Sequence, residues 1–127
     1  MNYWINQDDP WVICFRGVEI SIMAKAPSTI TIPNGSFVFT IWEPIKATTL
    51  RDNMSKEDRS VLFDWVAECL TESGGRPVVM CHIDPDTNEE LEIWCLTDAR
   101  IENFECSDNI TMTFSINFED ANQFKGA

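Results

Sequence analysis

His82 is the one histidine of the chain and stands beside Cys81 in Val-Met-Cys-His-Ile-Asp. A thiol next to an imidazole is the pairing from which cysteine nucleophiles are built. The stretch reads as a strand, however, and neighbours on a strand point to opposite faces, so the two cannot form a dyad by themselves. His82 therefore reads as a hydrogen-bonded structural residue. The five cysteines, Cys14, Cys69, Cys81, Cys95 and Cys106, contain no C-x-x-C pair. With a single histidine they do not offer the four closely spaced ligands that zinc takes. Asp84-Pro85-Asp86-Thr87-Asn88-Glu89-Glu90 alternates oxygen ligands like a calcium loop, but it lacks the central glycine and has Cys95 where the closing glutamate belongs. It reads as a hairpin turn. Gly74-Gly75 follows the helix, where a phosphate-cradling loop would have to precede one. No spacing singles out two carboxylates for acid–base work. These residues predict no catalytic site, no cofactor and no metal.

An odd number of cysteines cannot all pair within one chain. One reading is reduced, mostly buried thiols serving as small hydrophobes. The other is that at least one of them, with Cys14 and Cys106 the leading candidates by their flanking positions, bonds between subunits in an oxidising medium.

The elements that would position these groups come from a chain of 127 residues, the size of one domain spanning residues 1–127. With 44% hydrophobic residues, eight Phe and five Trp, the composition is globular. The net charge of −12 argues against binding to phosphate backbones or anionic membranes. It suits a wall past which a polyanion slides without sticking. Neither a secretory leader nor a run of about 18 apolar residues is present, which predicts a cytosolic protein without a membrane segment.

Strands are predicted over residues 11–15 and 17–24, with Arg16-Gly17 as a bulge or tight turn between them. A short strand over 29–32 leads into the turn Pro33-Asn34-Gly35, and 36–42 alternates Phe37, Phe39 and Ile41 on one face. Residues 43–54 show no clear period and read as a long loop. One helix is predicted over 55–73, with Ser55 as N-cap, Glu57 and Asp58 in its first turn, and Val61, Leu62, Trp65, Val66, Cys69 and Leu70 on its apolar side. Gly74-Gly75 is expected to stop it. Strands follow over 78–83 and 90–96, the latter apolar on both faces and so expected to be covered twice. The strand over 110–118 points Ile110, Met112, Phe114, Ile116 and Phe118 inward. This order predicts a mainly β fold, an antiparallel sandwich or barrel with a single helix packed on its side.

The helix with Leu62-Phe63-Asp64-Trp65, the hairpin over 78–96, the phrase Trp94-Cys95-Leu96-Thr97-Asp98-Ala99-Arg100-Ile101 and the closing strand before Glu119-Asp120 have an order that resembles the tail tube proteins of contractile-tailed phages. Their relatives include the Hcp ring protein of type VI secretion. The resemblance implies a tail-tube-like domain, six copies per ring, and rings stacked into a hollow tube through which DNA or an effector passes without specific binding. It also implies sheath and baseplate or terminator proteins as partners, assembly in the host cytoplasm, and a final place in the particle. The long loop over 43–54 would match the element that reaches an adjacent ring, and residues 1–9 and 121–127 would match peripheral contacts. Trp4 and Trp11, near an end of the chain, are candidates for a subunit interface. For Trp42, Leu50 and Met54 an interface role and packing in their own core are both open.

Two other functions fit the same sequence. One is a tail terminator or baseplate component of the same fold. The other is a soluble acidic binding or inhibitor module, such as an anti-defence protein mimicking nucleic-acid charge, which would stay monomeric or dimeric.

Overall fold

Alternation builds the first hairpin of the computed structural model, which describes residues 9–71, 75–108 and 110–126. Strand β1 (Asp9–Phe15) turns Trp11, Ile13 and Phe15 inward, and β2 (Val18–Ala24) does the same with Ile20, Ile22 and Ala24. Arg16 and Gly17 join them with φ of 51° and 78°, the mirror-image turn whose twist matches that of the strands.

The chain then leaves this sheet. Strands β3 (Thr29–Asn34) and β4 (Phe37–Trp42) pair, among the described residues, only with each other. Strand β5 (Ile45–Leu50) returns and runs antiparallel to β8 over its whole length. Residues 43–54 are therefore not a long loop. Ile45, Ala47 and Thr49 are buried on one side of a barrel strand, a 3-10 turn follows over Arg51–Asn53, and Met54 is buried.

Helix α1 (Lys56–Cys69) starts where Ser55 Oγ accepts the Asp58 N–H at 3.1 Å, and it sends Leu62 and Trp65 into the core. It ends earlier than the glycines predict. The Leu70 N–H bonds to the carbonyls of Ala67 and Glu68, and the Thr71 hydroxyl donates to the Glu68 carbonyl at 2.7 Å, so the last turn tightens and closes there. Gly74 lies outside the described residues.

Strand β6 (Arg76–Ile83) pairs with β1 on one side and β7 on the other. Strand β7 (Glu90–Ser107) runs eleven residues past its predicted end. Asp98 and Asn103 take positive φ within it, and its register slips between Glu102 and Glu105, so the strand bends from one side of the molecule to another. Strand β8 (Thr111–Asn117) buries Met112, Phe114 and Ile116, while Ile110 is exposed and Phe118 half-buried. Strand β9 (Asp120–Lys125) continues in the same direction along β7, so residues 121–125 belong to the sheet.

The strand order β6-β1-β2-β5-β8-β7, closed by the β6–β7 pairing, is a six-stranded antiparallel barrel with β9 as an added strand. Closure removes the open edges that an isolated sheet would leave. Helix α1 packs against β7 and β2, and the Trp65 ring stacks on Phe15 with centroids 4.4 Å apart. The fold is mainly β with one helix, as the alternating segments predict.

An ion-pair clamp ties the end of the helix to the barrel. Arg76 donates from Nε and Nη2 to Glu68 Oε2 at 3.0 and 2.6 Å, and Arg16, in the β1–β2 turn, donates to Oε1. The Arg76 and then the Arg16 hydrogen bonds hold the Glu68 carboxyl below its ordinary value of 4.5. A carboxyl whose folded pKa is depressed contributes stability above its unfolded pKa and loses it as pH falls through the folded one. Thermal unfolding of Glu68→Gln is expected to show a lower Tm than the parent at pH 7. The gap should narrow as pH falls below 4.5 toward the lowered folded value, and a gap that does not narrow on acidification would mean that charge plays no part in the clamp.

Candidate assembly interface

Among the described residues, the β3–β4 ribbon beyond Trp42 is the part that the core does not use. Gly35, at φ 63°, makes the turn at its tip. The register pairs Ile30 with Ile41, Ile32 with Phe39 and Asn34 with Phe37, so these side chains share one face. Thr29, Thr31, Thr40, Pro33 and Val38 lie on the other. Phe37 is 71% exposed and Phe39 51%, and Ile30, Ile32 and Ile41 are exposed beside them. The sequence groups Phe37, Phe39 and Ile41 on one face correctly, but that face meets no core.

A two-stranded ribbon is marginal in water unless its apolar face is packed. The ribbon's five apolar residues together present on the order of 500 Å² of side chain, as much as the largest patch of a typical soluble monomer. Its composition is unusual in a second way. From residue 26 to residue 42 no side chain carries a charge, in a chain whose net charge is −12. Between copies of a strongly acidic protein, an uncharged surface is one that adds nothing to the net repulsion. The ribbon is such a surface.

Its base is held firmly. Trp42 donates from Nε1 to Asp120 Oδ1 at 3.1 Å and sits against Trp94 and Phe118, with centroids 6.3 and 5.6 Å away. Ser28 donates to Glu43 at 3.0 Å, and the Glu43 N–H bonds to the Ser28 carbonyl. The half-buried Trp42 thus fixes the angle at which the ribbon leaves the barrel.

The other predicted interface residues divide by burial. Trp11 is 1% exposed and stacks on His82 with centroids 4.9 Å apart, and Met54 is 6% exposed. Both are core residues, which removes them from any surface; period-two alternation puts Trp11 on the same inward face as Ile13 and Phe15. Leu50 is exposed, on the outer side of β5. Trp4 lies outside the described residues. His82 does have a charged neighbour, Glu92 Oε2, 3.5 Å from Nδ1.

The cysteines also divide. Cys106 is exposed near the far end of β7, and Cys14 is half-buried on the outer side of β1. Cys14 lies against Cys81, and burial, followed by the charge of Glu19, raises its thiol pKa. Burial, with Cys14 and Glu90 adding to it, pushes Cys81 up to about 11. At neutral pH both are thiols and weak nucleophiles.

No protein-family model and no curated protein matches the chain. Solved structures do. Hcp1 from Flavobacterium johnsoniae superposes with a TM-score of 0.67 at 17% identity, over 92% of this chain and 96% of that one. The tube-terminating cap of the anti-feeding prophage gives 0.56 at 10% identity, over 91% and 88%. A chain of the sheath–tube complex of the extracellular contractile injection system PVC, in its extended state, gives 0.51 at 13% identity, over 91% and 88%. Identities this low speak to architecture alone, and the coverage is nearly complete on both sides. The barrel, its flanking helix and the order of its strands are those of the Hcp and contractile-system tube and cap fold.

Proposed function

We propose that this chain is a structural subunit that assembles with copies of itself into hexameric rings stacked as a hollow tube, the conduit of a contractile phage tail or a related injection machine. The observation that carries the reading is the uncharged, amphipathic β3–β4 ribbon, projecting from a barrel of the Hcp and tube fold with its apolar face open. A heterologous contact of this kind, in which an arm of one copy meets a different surface of the next, closes into a ring or continues as a stack according to its rotation. The function is assembly, without turnover.

The net charge of −12 supports a wall that lets DNA pass without holding it. Sheath and baseplate or terminator proteins are the partners such a tube needs. Assembly takes place in the host cytoplasm and the product belongs to the particle. Among the described residues no helix is long and apolar enough to cross a membrane. A second reading, a terminator that caps a tube without polymerising, draws on the similarity to the cap of the anti-feeding prophage.

Negative-stain microscopy with light scattering, on concentrated protein near neutral pH, tests the proposal. Six-fold rings or hollow tubes are the expected result. Rings that never stack would favour the terminator. A strictly monomeric or dimeric species would sink the assembly reading and favour an acidic binding module.

A further inference from the structure

The ribbon meets the barrel at one foot. Among the described residues, Trp42 is the only hydrophobic residue of β3 or β4 that packs against the core, and the only residue of either strand with a hydrogen bond or ring contact to the barrel wall. Its ring lies against Trp94 of β7 and against Phe118, and its Nε1 donates to the first residue of β9, Asp120. The barrel closes through β6 and β7 without β9. Asp120 is itself fixed in place. It pairs with Thr97 in the β7–β9 register, the Thr97 hydroxyl donates to its carbonyl at 3.3 Å, and the Glu119 N–H just before it donates to the Thr97 carbonyl at 2.9 Å. One carboxylate oxygen receives both of its donors: Oδ1 accepts from Trp42 Nε1 at 3.1 Å and from the Ala121 N–H at 2.9 Å.

We infer that Asp120 is the positioning residue of the assembly arm: its carboxylate holds the Trp42 indole, and through it the angle at which the β3–β4 ribbon presents Phe37 and Phe39 to a neighbouring copy. The inference rests on the assembly reading and names the residue that aims the arm. The length of the ribbon makes the aim matter. Strands of six residues reach about 20 Å from the foot, so a slack of about 10° there moves the tip at Gly35 by about 3.5 Å. A ring closes only when every contact repeats the same rotation. An arm that has to be ordered as it binds also loses affinity to that ordering, which an arm already held in its bound pose does not. Of the contacts at the foot, the N–H···O bond is the one with a strict direction. It is exposed to solvent, so its loss is expected to cost the fold little and to show in assembly.

Substitutions at the two ends of this bond test it, with the midpoint concentration of assembly read by light scattering and circular dichroism melts checking that each chain is folded. Trp42→Phe keeps a ring at the foot, removes the donor and leaves the bond from Ala121 to Asp120 in place. Asp120→Ala removes the acceptor. Each is expected to raise the midpoint roughly three- to tenfold. The double variant should be no worse than either single one, because both break the same bond. Asp120→Asn keeps an Oδ1 acceptor and should stay within about twofold of the parent. Parent-like midpoints for Trp42→Phe and Asp120→Ala would overturn the inference and leave assembly standing. Effects that multiply in the double variant would overturn it too, since the two groups would then act apart. An Asp120→Asn variant as weak as Asp120→Ala would replace the bond by the charge as the cause and overturn it likewise. A parent chain that stays monomeric at every concentration would overturn the inference and the assembly reading together.

Discussion

The double substitution Phe37→Asp with Phe39→Asp will leave the barrel folded and abolish higher-order assembly. Both side chains lie on the open face of the ribbon, 71% and 51% exposed, and neither belongs to the buried core. Thermal unfolding should therefore change little, because surface substitutions away from packed features stay within about 0.5 kcal/mol. Association should change greatly. Aromatic anchors at the centre of an interface typically contribute about 2 kcal/mol or more each, and a carboxylate in their place adds the cost of burying an unpaired charge. Since each 1.4 kcal/mol is tenfold, association is expected to weaken by at least about a hundredfold. Sedimentation or light scattering across a concentration series reads this directly. If the variant forms rings or tubes at the parent's concentration, the ribbon is not the arm that joins subunits.

The second large effect is in the core. Trp65→Ala removes the side chain that anchors α1 to the barrel, one that is fully buried and stacked on Phe15. Truncating a buried Trp costs about 3–5 kcal/mol through lost transfer energy and the cavity left behind. Against a total stability of roughly 5–15 kcal/mol this is a large share. For a domain of this size Tm should fall by about 10–20 °C. Leu70→Ala, at the C-cap of the same helix, is the control: Leu70 is 84% exposed, and the variant's Tm should stay within a few degrees of the parent's. Calorimetry on the two variants checks both. Equal shifts would mean that the helix is not held by its apolar side.

Much of this architecture is written locally. Val18, Ile20 and Ile22 alternate along β2, but only Ile20 and Ile22 reach the core fully, while Val18 stays half-buried. Met112, Phe114 and Ile116 mark β8, and Ser55 caps α1 where the sequence places the cap. The Asp84 carboxylate accepts the N–H groups of Asp86 and Thr87, as a turn of that composition should. Strand β5 escaped because its inward residues are Ile45, Ala47 and Thr49. Alanine and threonine carry little hydrophobic contrast against Lys46 and Thr48, so the period of two is muted. The Thr49 hydroxyl is at home inside because it donates to the Ser21 carbonyl at 2.6 Å, across the seam between β5 and β2. That partner lies 28 residues away and leaves no local trace. Strand β7 outran its predicted end because Asp98 and Asn103, residues that ordinarily signal a turn, bend the strand at positive φ without ending it.

The assembly surface was legible only in part. Alternation grouped Phe37, Phe39 and Ile41 on one face, and the absence of charge from residue 26 to residue 42 is plain to read. Where that face points was not. The same holds for Trp11 and Trp42, two indoles with similar local surroundings. One is inward on β1 over His82, and the other is at the foot of the ribbon, bonded to Asp120.

The sequence by itself determined which residues share a face, because the spacing of side chains along a strand or helix is a property of the backbone. It also determined the turns, the helix start and the acidic charge, which are local or additive. Only the tertiary structure decided which faces are covered. Closing the barrel through β6 and β7 buries one side of each of its strands and, among the described residues, leaves the apolar face of the ribbon exposed. Burial is set by pairings between distant parts of the chain, and a side chain's neighbours in sequence do not record them.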